Sequence, residues 1–231
     1  AGADGAQLRR LAAADPEWPA GALGDAPLAA LLAKLPPFAA RVQAATAAPA
    51  LPPHAGTLAF ELDGEAWQIT GAHADLRPGG LLRWRAAKLG AGDLLQAWLH
   101  HLWLGAFPPP GGAQPTRWLA LDDTLELRPM PPAAAHEQLA MLLRLYRRGL
   151  TEPLPFFPKA AWAYVAGDGD WRGARTAFEP SDRRPYAEGA DPALRLAWRG
   201  RGDPLGGDFA ALAISVFGPL RDHIAVADEA A

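Results

Sequence analysis

Two arginines on one predicted strand have the spacing that bears most directly on chemistry. Residues 81–85 read LLRWR and predict a short β-strand that carries Arg83 and Arg85 two positions apart. Because side chains alternate along a strand, both guanidinium groups face one side of the sheet, with Leu82 and Trp84 on the other. A carboxylate at either position could help to hold Mg²⁺, since the ion prefers carboxylate oxygens. Two arginines would repel the ion, so the pattern predicts a strand that does not support metal-dependent cleavage.

The preceding predicted strand, residues 67–76, places an acid close to the arginines. The layout resembles that of PD-(D/E)xK nucleases, which carry their first metal-binding acid on this strand. Aligning Gly71 with the glycine of active relatives puts Ala74 where that acid stands, and Asp75 is one residue out of register. A slip of one residue carries the carboxylate to the opposite face unless a bulge restores it.

The elements around these residues predict an α/β (α+β) fold with a PD-(D/E)xK nuclease-like αβββαβ core. A helix is expected over residues 25–45, broken at Pro36-Pro37, and the Asp63-Gly64 pair predicts a tight hairpin turn. The other expected elements are hairpin strands over 57–62 and 65–75, the strand over 81–85, a helix from an Asp93 N-cap to 104, and strand material over 118–127 around an Asp122-Asp123 turn.

The second half of the chain predicts additional C-terminal helices. A helix after Pro131-Pro132 is expected to end with Arg147 and Arg148 and a Gly149 C-cap. Further helices are expected over 159–165 and 209–224, with a long surface loop over 167–192 that has local order near 174–178. The predicted organisation is a lead-in (1–22), a nuclease-like core (23–130) and a helical part of the same domain (131–231).

Composition limits the class of protein. The 231 residues are 50% hydrophobic with nine Trp, which predicts a chain with a sizeable core, and a net charge of -3 gives no general nucleic-acid signal. The absence of cysteine excludes disulfides and zinc–cysteine sites. No apolar run approaches the roughly 20 residues of a membrane span, and the start lacks a secretory apolar core. We therefore expect a cytoplasmic protein with no membrane association.

Three segments carry a resemblance to a known family. The strings RWRAAKLGAGDLLQAWLHHLWL (83–104), LLRLYRRGLTEPLPFFPKAAWAY (142–164) and ALAISVFGPLRDH (211–223) resemble the C-terminal domain of RecC, the gamma subunit of exodeoxyribonuclease V, over about residues 23–223. The resemblance implies a nuclease-like fold without catalytic residues, in a heterotrimer with RecB and RecD subunits that acts on duplex or forked DNA. It also implies a role in splitting duplex ends during double-strand break repair and homologous recombination. No helicase-like segment or Walker A sequence accompanies it.

The candidate DNA-binding residues are basic, and each has a second interpretation. Arg83, Arg85 and Lys88 can contact phosphates directly where a metal would otherwise do so, or they can pair with Asp75 or Asp93. The other two candidates, Arg147 and Arg148, can meet DNA, or they can interact with the dipole at a helix C-terminus, which is the favoured interpretation.

Several further groups are assigned no catalytic, metal-binding or cofactor-binding role. Adjacent helical residues such as His100 and His101 diverge by about 100°, so they do not readily share one ion. The arginines at 172, 175, 183 and 184 lie in a loop with acids, which predicts a solvated or protein-contacting segment. The alternatives to a DNA-handling domain are a pure protein-docking module and a Mg²⁺-dependent nuclease that uses Asp75 with Glu61 or Asp63.

Overall fold

The computed structural model describes residues 5–15, 19 and 21–225. Among these residues, the strands all lie before Pro131, and helices make up most of the regular structure after it, as predicted for an α+β fold. The elements are α1 (Gly5–Ala13), α2 (Ala22–Ala45), β1 (His54–Leu62), β2 (Glu65–His73), β3 (Leu76–Arg77), β4 (Gly80–Trp84), α3 (Ala91–Ala106), β5 (Thr116–Leu119), β6 (Thr124–Leu127), α4 (Pro132–Gly149), α5 (Pro158–Ala166), α6 (Trp171–Phe178), a 3-10 helix (Glu188–Ala190), α7 (Pro192–Ala197) and α8 (Phe209–His223). None of these helices combines the length and the hydropathy that a membrane span requires.

The described strands form two small sheets. β1 and β2 pair with each other as an antiparallel hairpin, and the other sheet has the order β3-β4-β5-β6. In this second sheet β4 and β5 are parallel because α3 connects them as a crossover, whereas the outer pairs are antiparallel. The predicted strand over residues 67–76 is interrupted at Ala74 and Asp75, where the chain leaves the hairpin and enters β3. When β2 and β3 are taken as one interrupted strand, the order from α2 to β6 is αβββαββ, which is the expected αβββαβ with its last strand material divided into the β5–β6 hairpin.

The hairpin turn has the predicted geometry. Asp63 and Gly64 have φ values of 52° and 79°, as a type I′ turn requires. Further along the hairpin, Gly56 and Gly71 are cross-strand partners. A Cβ atom at Gly71 would lie 2.5 Å from the ring of Trp103. The absence of side chains at this pair therefore allows the end of α3 to lie directly against the hairpin.

Helix α2 continues through both prolines, so the break predicted at Pro36-Pro37 is wrong. Each internal proline removes a backbone donor and crowds the preceding turn, at a cost of about 3 kcal/mol. Contacts made immediately after the prolines oppose this cost. Phe38 is buried against side chains of β4 and β5, and Arg41 Nη2 donates to the Ala120 carbonyl oxygen at 2.5 Å.

Helix α3 lies at the centre of the fold and is apolar on most of its surface. Trp98 and Leu102 are fully buried, and the helix packs against α4, α5 and β5. The prediction of Asp93 as N-cap is wrong, because Gly90 occupies that position and α3 begins at Ala91. Asp93 is the third helical residue, and its Oδ2 accepts a hydrogen bond from the Gly90 N–H at 3.0 Å. The carboxylate therefore still caps the helix, from inside its first turn.

The helical second half closes the same core. The predicted helices over 159–165 and 209–224 are confirmed by α5 and α8, and α6 extends the local order expected near 174–178. Phe209, Phe217 and Leu220 of α8 are fully buried in the cluster that also contains Trp98. The predicted Gly149 C-cap is wrong, since Leu150 is the C-cap residue in right-handed helical conformation and the chain needs no left-handed residue there.

Candidate nucleic-acid interface

Arg83 and Arg85 both face α3, as strand alternation predicts. Arg83 Nη1 lies 2.8 Å from His100 Nε2, and Arg85 Nη1 donates to Asp93 Oδ1 at 2.7 Å. Leu82, which directly precedes Arg83, is buried on the opposite face, where α2 covers the sheet. Arg85 lies one residue beyond the end of β4. The strand and the first turns of α3 thus place two guanidinium groups side by side.

Asp75 lies on the same face as the arginines. Its Oδ2 is 2.8 Å from Arg83 Nε, with side chains that are 31% and 24% exposed. Regular strand geometry is interrupted at Ala74 and Asp75. Like a β-bulge, this interruption brings the Asp75 side chain to the face of the sheet that carries Arg83. Of the two interpretations of Arg83, ion pairing with Asp75 is the one the structure contains.

Two histidines complete the cluster around Arg83. His73 is 2% exposed, its Nδ1 is 3.8 Å from Asp75 Oδ1, and its ring centroid is 5.2 Å from that of His100. Burial, and then the positive charge of Arg83, lower the pKa of His100 to about 4. Burial also lowers the pKa of His73. Both rings are therefore neutral at pH 7, and His100 Nε2 accepts the hydrogen bond from Arg83.

The other acids considered for a metal site lie far from Asp75. Asp63 is in the hairpin turn and Glu61 is next to it, whereas Asp75 follows the opposite end of β2. Nine strand residues separate the two ends, which is roughly 30 Å at the rise of a β-strand. Within residues 5–15, 19 and 21–225, no group of three or more His, Cys, Asp or Glu side chains is arranged to hold a metal ion.

His100 and His101 face different partners. His100 contacts Arg83, whereas the buried His101 bonds through Nδ1 to Thr116 Oγ1 of β5 at 2.9 Å. The divergence follows from helix geometry, as the sequence predicts. Burial, followed by the nearby His223, lowers the pKa of His101 to about 4.

The basic side chains that remain accessible lie at the end of β4 and in the loop after it. The Arg85 side chain is 64% exposed, and a guanidinium has donors left after one bond to Asp93. Lys88 is exposed and forms no ion pair with any described residue. Trp84 is 45% exposed. This exposure is not predictable from the sequence, because strand alternation shows which face a residue lies on but not whether another element packs over that face. The surface groove there, which we call the β4 groove, has a volume of about 510 Å³ and is lined by Asp75, Leu82, Arg83, Trp84, Arg85, Gln96 and Trp118.

Arg147 and Arg148 lie in the last turn of α4, as predicted, and pair with acids. Arg147 bridges the hairpin turn, with Nη1 2.9 Å from Asp63 Oδ2 and Nη2 3.4 Å from Glu65 Oε2. Arg148 pairs with Glu152 and Asp208, and hydrogen bonds to these two carboxylates raise the pKa of Arg148. These carboxylates neutralise both arginines locally, and neither arginine lines the β4 groove.

The geometry defines a class of protein: an α+β domain with the element order predicted for a nuclease-like core, in which an arginine–carboxylate pair, Arg83–Asp75, joins β4 to the segment before β3. The chain belongs to the RecC C-terminal domain family, whose model matches residues 1–169. It is also similar to the RecBCD enzyme subunit RecC of Escherichia coli (strain K12), with 33% identity over 99 residues. That alignment covers 42% of this chain and 9% of the relative, so the chain corresponds to a small part of that relative's length.

Proposed function

We propose that the chain is a noncatalytic DNA-handling and scaffolding domain of a RecBCD-like helicase–nuclease, exodeoxyribonuclease V, which acts in double-strand break repair and homologous recombination. The observation that carries the proposal is the Arg83–Asp75 ion pair, in a domain that belongs to the RecC C-terminal family. Arg83 pairs with one oxygen of the Asp75 carboxylate, and its positive charge opposes the binding of Mg²⁺ there. In this proposal the helicase and nuclease activities lie in RecB-like and RecD-like subunits of a heterotrimer.

The DNA contact that we propose uses the exposed members of the predicted set. Arg85 and Lys88 would bind backbone phosphates of a duplex or forked end, and the exposed Trp84 would pack beside them. Arg83 would act as a positioning residue, because it is held by Asp75 and His100. The ion pairs of Arg147 and Arg148 argue for a structural role of these two residues.

One observation favours the alternative of a pure protein-docking module. An apolar groove of about 450 Å³ lies between α3, α4 and α8, and its exposed residues include Leu99, Tyr146 and Leu150. No charged side chain is among the described residues that line it. Apolar surface of this kind is typical of protein contacts rather than phosphate contacts.

The test is binding and cleavage of a labelled forked duplex by the full chain, with and without Mg²⁺, across a salt series. We expect binding without cleavage. In the Arg85→Ala/Lys88→Ala variant, the decrease of log affinity with log salt should become less steep by about 1.8, since each phosphate contact contributes about 0.9 to the magnitude of the slope. Arg144→Ala is the matched control, because Arg144 is also exposed and forms no ion pair with the described residues.

The outcomes separate the three functions. Mg²⁺-dependent cutting that Asp75→Ala abolishes would establish the nuclease. Equal binding by the wild type and the double variant would show that DNA does not bind at the β4 groove. Failure of the wild-type chain to bind DNA even at low salt would favour protein docking.

A further inference from the structure

The two adjacent aspartates of the turn between β5 and β6 form different hydrogen bonds. Asp123 Oδ1 accepts the Thr124 N–H at 2.7 Å, a bond within the turn itself. Asp122 Oδ1 instead accepts the Leu89 N–H at 3.1 Å, from the loop between β4 and α3. The turn is predictable from the sequence, but this second bond is not, because its two residues are 33 positions apart. Asp122 therefore joins the turn to the loop that carries Lys88.

Two hydrogen bonds from the β5–β6 turn hold the backbone on either side of Lys88. On its N-terminal side, the Leu121 N–H donates to the Ala87 carbonyl oxygen at 2.9 Å. On its C-terminal side, the bond is the one between Leu89 and Asp122. The Lys88 side chain is exposed and forms no ion pair with the described residues. Because the allowed side-chain rotamers depend on backbone conformation, the held backbone limits where the ammonium group can lie.

The turn is itself held by helix α2. Arg41 Nη2 donates to the Ala120 carbonyl oxygen at 2.5 Å and to the Leu121 carbonyl oxygen at 3.2 Å. Arg41 Nη1 donates to Thr124 Oγ1 at 3.1 Å. A side chain can position a second group only when it is itself fixed, and these bonds fix the turn. Helix α2, the turn and the loop are thus linked by successive hydrogen bonds that end beside Lys88.

We propose that Asp122 is a positioning residue for the β4 groove: by accepting the Leu89 N–H, it holds Lys88 in the place where it binds a phosphate together with Arg85. The role assigned to the two cations rests on the proposed function. A carboxylate repels phosphates, so the charge of Asp122 alone would oppose DNA binding. The hydrogen bond acts in the other direction, because a loop that is ordered before binding loses less conformational entropy when it binds.

The test compares Asp122→Ala with Asp122→Asn in the full chain, with the labelled forked duplex and the salt series. Both variants lose the negative charge, but only asparagine keeps an oxygen that can accept the Leu89 N–H. The decrease of log affinity with log salt should be less steep in Asp122→Ala than in Asp122→Asn by up to about 0.9, the contribution of one phosphate contact. In a Lys88→Ala background the two variants should have equal slopes. Asp123→Asn is the charge-matched control and should bind like Asp122→Asn.

Amide hydrogen exchange in the absence of DNA measures the bond by itself. The Leu89 amide should exchange about fivefold faster in Asp122→Ala than in Asp122→Asn, the factor that corresponds to one ordinary hydrogen bond. Thermal unfolding of each variant checks that the fold is intact.

Two results would overturn the positioning role of Asp122. One is equal exchange of the Leu89 amide in Asp122→Ala and Asp122→Asn. The other is equal salt slopes for these two variants in a chain whose DNA binding Lys88→Ala does weaken. If Lys88→Ala leaves DNA binding unchanged, the proposed function fails at Lys88 and the positioning role fails with it, whereas the exchange result stands independently of DNA.

Discussion

Arg83 and Arg85 are chemically alike and two residues apart, yet their surroundings separate their roles. Arg83 is enclosed by Asp75 and His100, whereas Arg85 has one acid partner, Asp93, and stays mostly exposed. Their spacing predicts that both side chains face one side of the sheet. The sequence also offers Asp75 and Asp93 as possible partners. How exposed each arginine is depends on the interrupted strand at Asp75 and on where α3 begins. Neither of these features can be predicted from residue spacing.

The buried His101 gives a prediction at the residue scale. Its pKa is about 4 in the folded chain, below the usual value of about 6.5, so the folded state binds fewer protons than the unfolded state between these values. The stabilisation is fully present above pH 6.5 and is lost as pH falls toward 4. We expect His101→Gln to reduce the slope of unfolding free energy against pH in this window by up to about 1.4 kcal/mol per pH unit.

Urea unfolding at a series of pH values from 7 to 4 measures that slope. His100 has the same direction of pKa shift, so a residual slope should remain in His101→Gln and decrease further when His100→Gln is added. An unchanged slope in His101→Gln would contradict the assignment.

At the scale of elements, signals contained in a few neighbouring residues are predictive and signals that depend on distant contacts are not. The Asp63-Gly64 turn follows from two residues that tolerate positive φ. The continuation of α2 through Pro36-Pro37 depends on Phe38 reaching the sheet, a contact that no local pattern shows. The interruption of the strand before β3 has no local signal that we can identify.

The glycine pair of the hairpin gives a prediction at this scale. Gly71→Ala places a Cβ atom 2.5 Å from the Trp103 ring, so the helix and the hairpin must move apart. We expect a loss of about 1–3 kcal/mol in the free energy of unfolding, the usual cost of overpacking a core. Denaturant midpoints measure it, and Gly79→Ala is the control, because a Cβ there meets no heavy atom within 4 Å. Equal midpoints for the two variants would contradict the close packing.

At the scale of the molecule, one apolar cluster joins the two halves of the chain. It includes Leu58 of the hairpin, Trp98 of α3 and Phe217 of α8. The segment after α8 also pairs with β6, since the Ala225 N–H donates to the Glu126 carbonyl oxygen at 2.8 Å. Neither half therefore has a complete hydrophobic core without the other.

This shared core predicts a single unfolding transition. Phe217→Ala should lower the free energy of unfolding by about 3–5 kcal/mol, the usual cost of deleting a buried aromatic side chain. Tryptophan fluorescence and far-ultraviolet circular dichroism should report the same midpoint, in the variant as in the wild type. Two separate midpoints would show instead that the second half unfolds by itself.

The enclosure of α3 has a consequence for how the β4 groove can respond to a ligand. Amide protons in the middle of this helix can exchange with deuterium only when the surrounding layers separate, so their exchange should track global unfolding. Arg83 and Arg85 are both fastened to α3, through His100 and Asp93. The basic surface is thus preorganised before any polyanion arrives, and binding there need not lose much conformational entropy. If the proposed function holds, adjustment to a DNA end would have to come from the DNA or from the loop after β4.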